Sequence, residues 1–238
     1  MEPKAAYEIL KSQVNLEDNV KRALLDIIKK DPWNAYCYAI NVIKGRWHEA
    51  EEYIKTNSYY AYFYAINVIK GRWKEAEPYI KNLPQNSNRR WINKKDNACA
   101  YHYAYYVIKG RWPEAEDIIK KSPCYAYYYA INVIKGRWPE AEEYIKKDSE
   151  YAYYYANNVI EGRFPEAEEY IKTDPYWAYF YAREVIGDEN FWKNQELLAD
   201  FMKSQPKSEP KPKPNSELDD LKKQREELDK RIKQLECV

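Results

Sequence analysis

The chain has 238 residues, with 39 Lys+Arg against 38 Asp+Glu, and this balance excludes a general electrostatic affinity for nucleic acid or anionic membrane. It holds 26 Tyr and 8 Trp but only 5 Phe, so much of its core must come from Ala, Ile, Val and the amphipathic bodies of Tyr and Trp. No apolar run reaches membrane-span length and the opening MEPKAAYEILKSQ has no signal-peptide core, while Cys37, Cys99, Cys124 and Cys237 show no CxxC spacing; a reduced, soluble, cytoplasmic protein is expected.

In chain order, residues 1–30 read as a cap of two helices, from Pro3 to Ser12 and from Leu16 to Lys30. A repeat follows. GRW recurs at Gly45, Gly71, Gly110 and Gly136, with GRF at Gly162; three spacings are 26 residues and one is 39. The units are 31–56, 57–82, 96–121, 122–147 and 148–173, with an insertion at 83–95 and a degenerate sixth unit that runs from Asp174 to Gly187.

Asp31, Asn57, Asp96, Ser122, Asp148 and Asp174 open the units as N-cap residues, and Pro32, Pro123 and Pro175 suit the first helical position. The first helix then runs through AYxYAxxVIK. It is expected to end at the glycine, in the left-handed conformation, with Lys44, Lys70, Lys109 or Lys135 in its last turn. A second, short helix starts at EAE, whose carboxylates complement its positive end, and closes on Lys55, Lys120, Lys146 or Lys172. A 100° wheel puts Ala35, Tyr36, Tyr38, Ala39, Val42 and Ile43 on one core arc. Neither helix can bury its apolar face alone, so an all-α fold of stacked units, an α-solenoid, is expected over 31–187.

AYYYAINVIKGRWPEAEEYIKKD resembles a tetratricopeptide repeat, with Ala and Tyr in the first helix, Gly at the corner, and EA with Tyr in the second. That family's unit has 34 residues, so the missing eight shorten the second helix and its groove shape does not carry over. The YAxxVIKGRWPEAE wording is also similar to short repeats in uncharacterised proteins of bacteriophages and large DNA viruses. The resemblance covers roughly residues 31–187 and brings no function with it.

Residues 188–203 read as a C-terminal capping helix, and 204–215 (SQPKSEPKPKPN) as a semi-rigid Pro/Lys-rich linker. In 216–238, Leu218, Leu221, Arg225, Leu228, Ile232 and Leu235 form an a/d seam, which predicts a coiled coil and homo-oligomerisation, a dimer before a trimer.

No catalytic constellation stands out: all six glycines sit at repeat corners, His48 and His102 lack metal-ligand spacing, and no cofactor or metal site is expected. The candidate partner-binding surface is a row of Phe63, His102, Tyr128, Tyr154 and Phe180, continued by Cys37, beside a row of Asn41, Asn67, Asn132 and Asn158. Packing between repeats is the competing reading of those rings. The insertion carries Arg89, Arg90, Trp91, Lys94 and Lys95 without an acid, a basic loop suited to phosphate or an acidic partner. Arg46, Arg72, Arg111, Arg137 and Arg163 are expected to pair with glutamates of the following helix, with phosphate tracking as the alternative. The sequence therefore points to a non-enzymatic protein-interaction scaffold. A structural component of a viral assembly, in host cytoplasm or virion, is the second reading, and a single-stranded nucleic-acid binder the third.

Overall fold

The computed structural model describes residues 1–12, 15–82, 98–188 and 191–192, which are helix and turn with no strand among them. The insertion residues Arg89, Arg90, Trp91, Lys94 and Lys95, the linker, and the seam from Leu218 to Leu235 lie outside the described residues. No helix among those described is long and apolar enough to cross a membrane.

Two helices, α1 (Pro3–Lys11) and α2 (Asp18–Ile28), pack on each other and on the first unit, burying Ala6, Tyr7, Leu10, Leu24 and Ile28. Four units open on a side-chain cap: the Asp31 carboxylate accepts the Asn34 N–H at 2.8 Å, and Asn57, Asp148 and Asp174 do the same for their own first turns. Ser122 occupies the cap position without a side-chain bond.

The lead helix changes character halfway. An α-helical segment, such as Pro32–Tyr38 or Pro123–Tyr129, runs directly into a π-helical one, Ala39–Ile43 or Ala130–Ile134, and every unit repeats the change. The longer i→i+5 ring turns the later residues off the 100° wheel. Ala35, Tyr36, Tyr38 and Ala39 are buried as expected, but Val42 is only half-buried and Ile43 is 40% exposed.

The helix end also differs from expectation. Lys44, Lys70, Lys109, Lys135 and Glu161, not the glycines after them, hold the left-handed conformation, with φ from 55° to 60°. The N–H groups of Lys44 and of Gly45 both reach the carbonyl of Ala39, closing the wide π turn one residue earlier than a glycine cap would. In the sixth unit the same position is Gly187, at φ 78°.

The second helices, His48–Ile54, Pro113–Ile119, Pro139–Ile145 and Pro165–Ile171, carry their glutamates in the first turn. In the second unit Pro78 lacks the N–H that a regular first turn would use, and a 3-10 turn, Lys74–Ala76, precedes the α-helix Glu77–Ile80. Ala50, Ile54 and their counterparts in later units are fully buried against the neighbouring lead helix. Each such Ile contributes about 1.5–3 kcal/mol of apolar burial. Lead helix packs on lead helix from one unit to the next, including across the insertion, where Ser58–Tyr64 meets Ala98–His102.

Candidate functional site

Five copies of one polar cluster tie the units together. Arg46 donates through Nε and Nη2 to the two oxygens of Glu51, at 2.8 and 2.7 Å, and Glu51 also accepts the hydroxyl of Tyr64 from the next unit at 3.0 Å. That hydroxyl in turn accepts the buried backbone N–H of Trp47 at 2.7 Å. The cluster recurs as Arg111/Glu116/Tyr129/Trp112, Arg137/Glu142/Tyr155/Trp138 and Arg163/Glu168/Tyr181/Phe164. Across the insertion Tyr103 fills the same role for Trp73 and Glu77, 30 residues on where the other joints use 17, so the units on either side stack as ordinary neighbours.

Burial works against the ionised form of Glu51 and Glu116. The hydrogen bonds from arginine and tyrosine outweigh it and hold both carboxyls below their ordinary range. Burial drives the Tyr64, Tyr103, Tyr129, Tyr155 and Tyr181 phenols upward, so they stay protonated and donate. The arginine row is thus engaged inside the fold, as the pairing reading expects.

The two rows singled out in the sequence are engaged as well. Asn41 donates to Tyr7 of α1, and Asn67, Asn132 and Asn158 donate to Tyr36, Tyr101 and Tyr127 of the preceding unit, all at 2.9–3.0 Å. At the far end Glu184 takes the asparagine position and accepts from Tyr153, while Arg183 donates to Tyr179, the last phenol of the series.

Tyr128, Tyr154 and Phe180 are buried between units, their rings 5.8–6.3 Å from Tyr101, Tyr127 and Tyr153 of the unit before, and Cys37 is buried at the head of the row. The expectation that they line an open concave surface is corrected: short helices with small alanines at their contacts bring the rings into the joint. Phe63 and His102 are half-buried. The His102 Nε2 is buried without a hydrogen-bond partner, and burial pushes the imidazole down to about 4, so it packs as a neutral ring against Tyr62, Tyr101 and Tyr125.

What the joints leave outward is the π-helical face. Ile40, Ile66, Tyr105 and Ile131 are half-buried in register, and the π segments of successive units pack on one another, which makes them a continuous apolar strip. Lys44, Lys70, Lys109 and Lys135 stand exposed at its edge and make no ion pair among the described residues. The sequence pattern concealed the extent of this face, because a 3.6-residue period assigns Val42 and Ile43 to the core, whereas the π turn leaves Val42 half-buried and Ile43 exposed.

Among the described residues no group of three His, Cys, Asp or Glu is arranged to hold a metal ion. No protein-family model, curated protein or solved structure matches the chain.

Proposed function

We propose that this chain is a non-enzymatic α-solenoid scaffold that binds a protein or peptide along the π-helical face, with its C-terminal segment multiplying the copies. The observation that carries this reading is the fate of the charges. In each internal unit the EAE glutamate is shared between its own corner arginine and a tyrosine of the next unit, whereas the helix-end lysine makes no ion pair among the described residues and stands exposed beside half-buried apolar side chains. Apolar strips edged by unpaired charge suit partner recognition, and several weak strips on one oligomer raise avidity without new contacts.

A random-peptide display selection on the intact chain, followed by hydrogen exchange of the selected complexes, tests the reading. It requires enriched peptides whose binding protects residues 39–44 and their counterparts; enrichment with protection confined to the second helices would overturn it. The nucleic-acid reading loses its main supports, because the arginine row is paired and three of the stacking rings are buried.

A further inference from the structure

Resting on that reading, we infer that the partner is an acidic, amphipathic protein segment that lies across the first four units and stops at the fifth. Three observations point the same way.

The first is backbone strain. A left-handed lysine is disfavoured by about 1 kcal/mol or more relative to glycine, and glycine is the very next residue. Gly187 demonstrates that the fold accepts glycine at the position itself. Four units nevertheless keep a lysine there, and strain retained at an exposed position is the mark of a site selected for something other than stability.

The second is charge. From Ala39 to Lys44, and over the matching stretches through Lys135, the face carries no acidic side chain. In the fifth unit Glu161 takes the lysine's place, and in the sixth that position is Gly187, with Glu184 of the π segment largely buried and paired with Arg183. The sign change gives the bound segment an end point: carboxylates are attracted by units one to four and repelled by unit five.

The third is the apolar strip itself. It offers aliphatic Ile and Val side chains in units one, two and four and half-buried tyrosines, Tyr105 and Tyr106, in unit three alone, where a single-stranded nucleic acid would need a row of exposed stacking rings. It fits a peptide whose apolar side chains alternate with carboxylates. Packed helices stand roughly 8–10 Å apart, so four lysines span about 24–30 Å, within the reach of a twelve-residue extended peptide of about 40 Å.

The test is fluorescence anisotropy at low ionic strength with the intact chain and a labelled (Glu-Leu-Glu-Ser)3 peptide. (Glu-Ser-Glu-Ser)3, (Lys-Leu-Lys-Ser)3 and a twelve-nucleotide oligothymidine serve as comparison probes. The first peptide should bind most tightly. Lys70→Glu with Lys109→Glu should weaken it at least tenfold, whereas Lys121→Glu with Lys147→Glu, the same charge change on exposed second-helix ends, should change it less than twofold. Glu161 already holds a glutamate in the left-handed conformation, so the first pair is compatible with folding, which circular dichroism checks. Glu161→Lys should tighten a sixteen-residue peptide several-fold.

Equal losses from both lysine pairs, tighter binding of the oligothymidine, or no peptide binding at low salt would overturn the inference. So would a self-association of the chain that the Lys70/Lys109 pair dissolves, since a second copy would then occupy the face. Display-selected peptides that protect the face without acidic bias would overturn this inference and leave the scaffold reading standing.

Discussion

Lys44 and Arg46 stand two residues apart at one helix corner, and the same pair recurs at 70/72, 109/111 and 135/137. The arginines lie 40–53% exposed, each with both guanidinium arms on a largely buried glutamate that a tyrosine of the next unit also holds. The lysines, in a strained backbone conformation, hold no carboxylate. Equal charge at neighbouring positions is thus divided between cohesion of the stack and an outward face. Geometry makes the division: the π turn closes on the lysine, and the chain then swings the arginine back toward the second helix.

The largest break in this comparison should come from the joint. Tyr155→Phe strips the hydroxyl from the buried Trp138 N–H and from Glu142, and a buried donor left unpaired costs about 1–3 kcal/mol. Urea denaturation should register a loss of about 2 kcal/mol. Acid should break the joints too, in two steps that thermal melts across pH will separate. His102 has a folded-state pKa of about 4 against 6.5, so the unfolded chain binds the extra proton and stability falls as pH drops from 6.5 to 4. His102→Tyr, the residue that units four and five use there, should flatten that section. Glu51 and Glu116 have lowered folded pKa values, so their contribution is intact above the unfolded value near 4.5 and is lost as pH falls below it.

Smaller changes sharpen the contrast. Arg137→Ala removes a pair that is partly screened by solvent and should cost about 0.5–1 kcal/mol. Lys135→Gly relieves the left-handed strain and should raise stability by about 0.5–1 kcal/mol in the same urea titration. Deleting 83–95 joins units two and three with the spacing the others use. Because Tyr103 already bonds Trp73 as in every other joint, stability should shift by no more than about 0.5 kcal/mol.

Much of this was legible in the sequence, and the parts that were not have identifiable causes. The 26-residue period, the Asp and Asn caps and the arginine–glutamate pairing follow from local spacing and charge. The tyrosine that completes each joint was hidden because Tyr64 and its counterparts read as core residues of a helix, and their partners lie in the preceding unit. The π segment was hidden because a wheel presumes one period along the whole helix, which fails after Tyr38 and moves Val42 and Ile43 outward. Left-handed lysine was hidden because propensity alone assigns that conformation to the adjacent glycine. The aromatic row was legible as a row, but its side of the joint depended on how closely short helices approach.

The most direct measurement compares two double variants of the intact chain by urea denaturation: Arg111→Ala with Arg137→Ala, and Lys109→Ala with Lys135→Ala. The arginine pair should lose about 1–2 kcal/mol and the lysine pair should stay within about 0.5 kcal/mol of the parent. Equal losses, or a larger loss from the lysines, would contradict the division of labour between the two rows.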